Sequence, residues 1–317
     1  MPFVQKIEPF GDFKRLVIQN TQTGDLLAVI PEIGANVQGL ALRKGDGLHS
    51  ILNGYKTFED AKAGVDSRGA HLIPFPNRLK GGAYSFGGRR YELPINFPKH
   101  QSAIHGFIEH RPFEVASVEL GKAAATVKLL YRYNGELVGY PFPFLAEPTY
   151  RLCDEEFLCR VKITNTGQTK MPLGHGWHPY FQTGSRVDDF ELKLPVVSKI
   201  QTDENLIPTG TEKKFSGFRE FQKIGGANFD TGFKLTNPAA GRVEVLLRDA
   251  TQNVTIHLWQ EAGPGKYNFV QIYIPPDRNS IALEPMTCKA DAFNNGDGLI
   301  VLEPGESFEG SFGVYVN

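Results

Sequence analysis

Two histidines and three aromatic residues lie close together in the segment Gly-His-Gly-Trp-His-Pro-Tyr-Phe at positions 174–181. Imidazole titrates near neutral pH, so His175 or His178 can give or take a proton under physiological conditions. If 173–181 is a regular strand, alternation places His178 on one face beside glycines and His175 on the other face. The glycines should then leave room for a ligand near His178. The alternative is that His178 is a buried histidine with only structural hydrogen bonds.

Two other segments carry groups that could complete an acid–base site. His105 lies in Ile-His-Gly-Phe, and Glu284 follows the apolar triplet at 281–283 and precedes a proline. A carboxylate at the end of a buried strand is costly to desolvate, and burial should raise its pKa toward that of a general base. A glutamate that stabilises a turn is the alternative for Glu284. Together the segments indicate acid–base chemistry on a hydroxyl-rich ligand such as a sugar.

Four polar residues are candidates for holding such a ligand. Asn77 and Arg78 lie in a proline-rich loop, and the planar fork of an arginine suits recognition of hydroxyl or carboxylate groups. Gln271 interrupts an aliphatic strand and must find hydrogen bonds there. Asp230 lies in Asn-Phe-Asp-Thr-Gly-Phe. The alternatives are a surface ion pair for Arg78 and an ordinary Asx turn for Asp230.

Composition excludes several classes of function. Lysine and arginine number 34 against 35 acidic residues, and no basic stripe is present, which argues against nucleic acid as a partner. The N-terminal residues lack a signal-peptide pattern, no apolar run reaches about 20 residues, and the three cysteines suit a reducing compartment. We therefore expect a cytoplasmic protein that does not bind membranes. No phosphate-binding loop, dinucleotide fingerprint or metal-ligand motif occurs, so no cofactor and no metal are expected.

Short alternating segments separated by 34 glycines and 21 prolines predict an all-β fold. The apolar residues alternate in 127–133, 157–164 and 243–258, and Asp154–Glu156 should turn the chain back onto Pro148–Cys153. No linker or fixed-period repeat divides the chain, which predicts one domain over residues 1–317, with strands from about residue 13. A sandwich of two large sheets is favoured over a propeller.

Helical periodicity is scarce. The best candidates for helices are a turn or two at Thr57–Gly64 and at Ser216–Lys223. Both segments are short, so helices should contribute little to the core.

The sequence resembles the aldose 1-epimerase (galactose mutarotase-like) family. The resemblance rests on six short motifs that occur in the family's order, and two C-terminal segments, Ala-Asp-Ala-Phe-Asn-Asn-Gly and Leu-Glu-Pro-Gly-Glu-Ser-Phe, extend it. The motifs are Asn77-Arg78, Ile104-His105-Gly106-Phe107, Trp177-His178-Pro179-Tyr180-Phe181, Phe229-Asp230, Val270-Gln271-Ile272-Tyr273 and Leu283-Glu284-Pro285. The resemblance implies a large antiparallel β-supersandwich whose members interconvert the α and β anomers of free aldoses.

The same resemblance implies roles for these residues. Glu284 would be the general base that removes the proton from the anomeric hydroxyl, and His178 the general acid that protonates the ring oxygen. His105 would complete the catalytic group, while the binding residues would hold sugar hydroxyls or polarise the ring oxygen; these are Asn77, Arg78, Asp230 and Gln271. Gln182 and Thr183 stand where the best-known galactose-specific members carry an asparagine, so the resemblance leaves the preferred sugar open.

Several alternatives stay open at the level of sequence. A hexose-6-phosphate 1-epimerase would need basic residues around the phosphate, for which the candidates are Arg78, Lys80, Arg89 and Arg90. A sugar-binding protein without turnover would keep the pocket but would not need both His178 and Glu284. Hydrolysis or elimination of a polysaccharide is a further possibility on a similar sandwich. A small-molecule sugar is the one expected partner of a monomer or homodimer.

Overall fold

A computed structural model describes residues 1–153 and 156–317 of the chain. The first strands in chain order are β1 (Phe3–Phe10), β2 (Phe13–Asn20), β3 (Leu26–Ile30), β4 (Asn36–Lys44), β5 (Gly47–Ser50), β6 (His71–Leu72), β7 (Arg78–Lys80), β8 (Ala83–Phe86), β9 (Arg89–Glu92), β10 (Ser102–Ile104), β11 (Glu114–Leu120), β12 (Ala124–Tyr133), β13 (Phe144–Cys153) and β14 (Glu156–Asn165). They are followed by β15 (Met171–Leu173), β16 (Gly176–Trp177), β17 (Tyr180–Phe181), β18 (Glu191–Lys193), β19 (Val197–Thr202), β20 (Pro208–Phe215), β21 (Gln222–Lys223), β22 (Asp230–Leu235), β23 (Gly241–Asp249), β24 (Val254–Ala262), β25 (Phe269–Tyr273), β26 (Ile281–Met286), β27 (Ile300–Leu302) and β28 (Ser307–Val316). The α-helices are α1 (Phe58–Ala63) and α2 (Ala292–Asn295), and short 3-10 helices occur at Val65–Ser67, Pro98–His100, Ile108–His110 and Val187–Asp189.

The predicted all-β class is confirmed, because about 53% of the described structure is strand and 7% is helix. A nine-stranded antiparallel sheet has the order β11-β12-β13-β14-β28-β24-β23-β18-β21. An eight-stranded sheet has the order β20-β19-β22-β25-β26-β16-β6, with β17 also paired to β26. The first five strands form a meander of their own, and three two-stranded ladders, β7–β10, β8–β9 and β15–β27, complete the described structure.

The two large sheets pack face to face through their apolar sides. Side chains of β13 alternate between buried and more exposed positions along the whole strand, as a sheet with one covered face requires. The indole of Trp177, on β16 of the eight-stranded sheet, stacks on Phe312 of β28 at 4.9 Å between ring centroids. Phe157 of β14 also contacts this indole, with a centroid distance of 5.8 Å. The architecture is therefore the sandwich that the sequence predicts.

Most predicted strands form where the alternation indicates, and three local predictions need comment. The predicted antiparallel pairing of β13 with β14 is confirmed; of the predicted turn residues, Asp154 and Glu155 lie outside the described residues, and Glu156 is the first residue of β14. The first strand begins at Phe3 rather than near residue 13. The strand predicted at 173–181 is wrong in detail: it is broken into β16 and β17, because Pro179 between them has no amide hydrogen for a ladder.

One of the two predicted helices is present. Thr57 caps α1 by accepting a hydrogen bond from the amide of Asp60, and Gly64 ends the helix in a left-handed conformation with φ of 65°. The prediction at Ser216–Lys223 is wrong, since this segment is a turn followed by β21. Phe218 has φ of 59°, which a helix cannot accommodate, and its ring packs on Phe229. Within the described residues, no helix has the length and apolar character needed to cross a membrane.

The ladder β7–β10 joins two loops that carry predicted site residues. Asn77 immediately precedes β7 and His105 immediately follows β10, and both have left-handed backbone angles, with φ of 58° and 62°. The amide of His105 donates to the carbonyl of Asn77 at 2.9 Å, and the amide of Asn77 donates to Nδ1 of His105 at 3.1 Å. Gly106, with φ of 68°, lies so close to Ile73 that a Cβ atom on Gly106 would be 2.0 Å from the carbonyl oxygen of Ile73.

This close approach generates a stability prediction. Gly106→Ala should lower the free energy of unfolding by about 3 kcal/mol or more, because the left-handed strain of an alanine adds to a backbone clash. Gly81→Ala is the matched control, since Gly81 has φ of 61° with nothing within 4 Å of its would-be Cβ, and it should cost only about 1 to 2 kcal/mol. Urea unfolding of both variants measures the difference. Equal losses in the two variants would contradict the proposed clash.

Candidate active site

A cavity of about 500 Å³ opens beside the eight-stranded sheet. All seven residues that the sequence singles out as catalytic or binding candidates line it: Asn77, Arg78, His105, His178, Asp230, Gln271 and Glu284. They come from segments up to about 200 positions apart, which the pairing of β22, β25 and β26 and the loops around β7 and β10 bring together. The cavity is thus the candidate active site.

Glu284 and His178 form a buried pair in this cavity. Glu284 lies on β26, which pairs with β17, and its Oε1 is 3.4 Å from Nε2 of His178. Their side chains are only 1% and 6% exposed. Burial raises the pKa of Glu284 well above its usual range, and Asp230 adds to this shift while Arg78 opposes it.

Burial acts on His178 in the opposite direction. It lowers the pKa of His178 to about 3; the residue's own backbone carbonyl opposes the shift, and the charge of Arg68 adds to it. Because desolvation disfavours a charge on either group alone, we expect the pair to share one proton and to carry no net charge. A proton can then pass between carboxyl and imidazole without a change in the total charge of the site.

His105 presents a neutral hydrogen-bond donor to the same cavity. Since its Nδ1 accepts the amide hydrogen of Asn77, the ring hydrogen must be on Nε2. Burial lowers the pKa of His105 well below its usual value, and the neighbouring His178 and Arg78 add to the shift. The rings of His105 and His178 meet edge to face with centroids 5.2 Å apart. His105 can therefore donate to a ligand oxygen without carrying a charge.

The four candidate binding residues form a closed ring of hydrogen bonds. Nδ2 of Asn77 donates to Gln271 at 3.2 Å, and Nε2 of Gln271 donates to Asp230 at 2.7 Å. Arg78 completes the ring by donating to Asp230 at 3.3 Å and to Oδ1 of Asn77 at 3.1 Å. This arrangement gives Gln271 the hydrogen bonds that its strand position demands, and it fixes the orientation of every polar group in the ring.

The two alternatives weighed for Arg78 and Asp230 do not describe this structure. Arg78 is not part of a surface ion pair, because its side chain is only 7% exposed. Asp230 is the first residue of β22, and its carboxylate accepts from Gln271 and Arg78. Nε of Arg78 and Oε2 of Glu284 are buried and have no hydrogen-bond partner in the described part of the chain. Buried polar atoms of this kind are suited to receive ligand groups.

The glycines beside His178 have a different role from the one predicted. A Cβ atom on Gly174 would lie 2.5 Å from Sγ of Cys288, and one on Gly176 would lie 2.9 Å from Cβ of Pro76. Both glycines therefore make room for the proline-rich loop and for side chains at or just after the end of β26, and neither is among the described residues that line the cavity. Their effect on the site is indirect, since the loop that they admit carries Asn77 and Arg78.

His175 diverges from His178, as predicted, and belongs to a separate buried network. The hydroxyl of Tyr150 donates to the carbonyl of Ala35, so it must accept from Nε2 of His71 at 2.7 Å. Nδ1 of His71 then accepts from Nε2 of His175 at 3.0 Å. Nδ1 of His175 in turn accepts from the hydroxyl of Tyr267 at 2.9 Å. Every polar atom of the two neutral imidazoles is paired, which identifies this network as structural.

Sequence reasoning misses several residues of the cavity wall. They have no shared motif, and they come from the loops at 63–67 and 96–110 and from neighbouring strands: Asp66, Ser67, Asn96, Phe97, Lys99, His100, Glu109, His110, Tyr180 and Tyr273. Of these, Tyr180 and Tyr273 lie in segments already singled out. No described group of three or more His, Cys, Asp or Glu side chains could hold a metal ion.

Comparison with known proteins identifies a family for this chain. The sequence pattern of the family described as aldose 1-epimerase matches residues 15–315. The chain belongs to the aldose 1-epimerase family. The resemblance seen in the sequence motifs is thereby confirmed.

Relatives and solved structures resemble this chain to different degrees. An uncharacterized protein of Escherichia coli strain K12, YihR, is 30% identical over 299 residues, which cover 92% of this chain and 91% of YihR. A galactose mutarotase-like protein of Clostridium acetobutylicum has a TM-score of 0.86 at 23% identity, with 100% of this chain and 99% of that chain covered. The galactose 1-epimerase of Lactobacillus acidophilus has a TM-score of 0.79 at 18% identity, with 99% and 98% covered. At these identities, the two solved structures show the fold that the aldose 1-epimerase family shares.

The His71–His175 network generates a prediction for this family member. His175→Asn should lower the free energy of unfolding by about 2 to 4 kcal/mol, because the shorter side chain leaves His71 and Tyr267 without partners. Burial depresses the native pKa of His175, so the wild-type group is stabilising above the unfolded pKa and this stability is lost as pH falls. The variant should therefore lose stability less steeply below about pH 6.5, by up to about 1.4 kcal/mol per pH unit. Urea unfolding at several pH values measures both effects, and an unchanged pH slope would contradict the assignment.

Proposed function

We propose that this protein is an aldose 1-epimerase (mutarotase) that interconverts the α and β anomers of a free aldose by acid–base ring opening and reclosure. The observation that carries the proposal is the buried contact of 3.4 Å between His178 Nε2 and Glu284 Oε1 at the wall of a sugar-sized cavity. A carboxyl and an imidazole that share one proton can exchange it with a substrate that must lose one proton and gain another.

The proposed reaction moves two protons. Glu284 removes the proton of the anomeric C1 hydroxyl while His178 donates a proton to the ring oxygen, and the bond between C1 and the ring oxygen breaks. The product is the open-chain aldehyde, and rotation about C1–C2 followed by reclosure on the opposite face gives the other anomer. The pair changes from carboxylate and imidazolium to carboxylic acid and neutral imidazole, so its net charge stays zero throughout. The burial of the pair therefore does not oppose the proton transfers with a change in charge.

The other residues position the sugar in this proposal. The Nε2–H of His105 would donate to the ring oxygen or a neighbouring hydroxyl, and Arg78 would offer its unpaired Nε–H. Asp230 and Gln271 have their orientations set by the closed ring of hydrogen bonds, so they can receive hydroxyl groups without reorganisation. Asn77 would act mainly by holding the amide of Gln271 and the ring of His105 in place.

The competing functions have less support. Among the basic residues considered for a hexose-phosphate substrate, Lys80, Arg89 and Arg90 are exposed and are not in the described wall of the cavity. Arg78 is already neutralised by Asp230. A protein that only binds sugar would gain nothing from burying an acid–base pair, whose desolvation is costly.

The acid–base pair is tested by conservative substitutions. Glu284→Gln keeps the shape of the side chain but removes the base, so the rate of anomerisation should fall by about 10² to 10⁴. His178→Asn should cause a comparable loss, and the double variant should be little worse, because groups that act as a unit are not additive. Polarimetry of freshly dissolved aldoses measures each rate after circular dichroism has verified folding. Near-wild-type turnover of Glu284→Gln would refute the mechanism.

The role of the closed ring of hydrogen bonds in sugar binding is tested separately. Asp230→Asn keeps the size of the side chain but weakens the contact with Arg78, so KM should rise more than kcat falls, the pattern for lost uniform binding. Initial rates over a range of aldose concentrations separate the two constants. Equal losses in kcat and kcat/KM would instead place Asp230 in stabilisation of the transition state.

A further inference from the structure

The imidazole of His178 lacks the usual means of orientation. A histidine that transfers protons through one nitrogen is generally held by a hydrogen bond at the other. Nδ1 of His178 is buried and has no such partner in any other described residue. Apart from the Nε2 contact with Glu284, the orientation of the ring must therefore be set by packing and by the backbone on either side of it.

Tyr180 supplies the broad packing surface for this ring. The imidazole of His178 and the phenol of Tyr180 lie nearly parallel, with centroids 4.9 Å apart and an angle of 13° between their planes. The edge-to-face contact with His105 restrains the imidazole of His178 from another direction. Tyr180 is only 2% exposed, and its ring makes an edge contact with the ring of Tyr273, with 6.3 Å between the ring centroids. A rotation of the phenol would leave the imidazole free to tilt away from Glu284.

Arg68 holds the phenol in turn. Its guanidinium carbon lies 4.3 Å from the centroid of the Tyr180 ring, within the range of a cation–π contact. The guanidinium is itself fixed by Asp66 at 2.9 Å and by the carbonyl of Asn53 at 3.3 Å. Arg68 lines a neighbouring cavity of about 410 Å³. Arg68 is not among the residues that line the catalytic cavity described above.

The backbone ties the loop that carries Arg68 to His178 as well. The amide of Gly69 donates to the carbonyl of His178 at 2.8 Å, and the amide of His178 donates to the carbonyl of Ala70 at 3.0 Å. Gly69 has φ of 72°, and a Cβ atom there would lie 2.3 Å from the carbonyl oxygen of Val37. The position of Arg68 relative to His178 is therefore fixed by both backbone and side-chain contacts.

We infer that Arg68 and Tyr180 are positioning residues that hold the His178 imidazole against Glu284 through the stack Arg68–Tyr180–His178. The inference rests on the proposed function, because it assigns this stack a role in the proton transfer of that reaction. Arg68 acts from outside the catalytic cavity and does not contact the sugar.

The charge of Arg68 also affects the titration of the pair. The charged and titratable groups that neighbour the imidazole or share its cavity are Glu284, His105, Asp66, Arg68, Tyr180, Tyr273, Arg78, Asp230, Lys99, His100, Glu109 and His110. Arg68 lowers the pKa of His178, so its removal should raise that pKa. The second proton, which makes the pair a carboxylic acid beside an imidazolium, would then bind at higher pH. The acidic limb of the kcat profile should shift upward accordingly.

The experiment compares Arg68→Met, Arg68→Lys, Tyr180→Phe and Tyr180→Leu in the full chain. Arg68→Met should lower kcat about tenfold to a hundredfold, since a small misplacement of a reacting group has effects of this size. KM should change much less than kcat, and the acidic limb should move to higher pH. Arg68→Lys should be intermediate, because an ammonium stacks less well than a guanidinium. Tyr180→Phe should retain more kcat than Tyr180→Leu.

Arg242→Met is the matched control. Arg242 makes the same kind of contact with Trp259, at 3.8 Å, and pairs with Glu156 at 3.2 Å, and none of the three is among the residues that line the cavity. The Arg242→Met substitution should leave kcat and the pH profile unchanged. If Arg68→Met also leaves kcat and the acidic limb unchanged, the inference is overturned. If Tyr180→Leu does not fold, Arg68→Met and Tyr180→Phe decide the outcome.

An independent measurement separates this inference from the proposed function. The ¹⁵N signals of the His178 imidazole, assigned by their loss in His178→Asn, report its tautomer and its titration with pH. Arg68→Met should change them and Arg242→Met should not. If the wild type accelerates the anomerisation of no aldose, the proposed function fails. In that case unchanged His178 signals in Arg68→Met would also overturn the positioning role, whereas changed signals would support it.

Discussion

The buried contact between Glu284 and His178 is the constraint on which the rest of the structure depends. Desolvation opposes a charge on either group alone, yet the proposed chemistry requires a carboxylate and an imidazolium during part of the cycle. The conflict is resolved when the two groups share one proton at hydrogen-bonding range, so that a proton moves without a change in net charge. This solution requires the two side chains to stay together, and it therefore requires a rigid frame.

That frame consists of strand pairing and of loops fastened by left-handed residues. β26 carries Glu284 and pairs with β17, which begins two residues after His178, so strand pairing brings the two side chains together. Asn77 and His105 are joined by two hydrogen bonds across the ladder β7–β10, and Gly106 permits the close passage along Ile73. Left-handed backbone at non-glycine residues is costly, and surrounding contacts must compensate for it. The geometry of the proposed catalytic pair thus depends on contacts made by residues outside the pair.

Two buried histidine systems in this fold illustrate different uses of the same side chain. In the network of His71 and His175 every ring nitrogen has a partner, so the network stabilises one tautomer and one packing arrangement. In the cavity, by contrast, polar atoms of His178, Glu284 and Arg78 are buried without partners among the described residues. Full pairing favours stability, while unpaired buried atoms retain the capacity to bind a ligand. The distinction separates His175 from His178 although only two residues lie between them.

The sequence alone determined the features that depend on local pattern. Period-two alternation predicted strands such as β12, β14, β23 and β24 because burial on one face of a sheet has that period, and Thr57 and Gly64 marked the ends of α1. The family motifs also selected seven of the polar residues that line the cavity. Only the tertiary structure decided which other residues lie next to those motifs in space. The break at Pro179, the packing role of Gly174 and the stack of Arg68 on Tyr180 depend on partners that are distant in sequence, and no local pattern encodes their proximity.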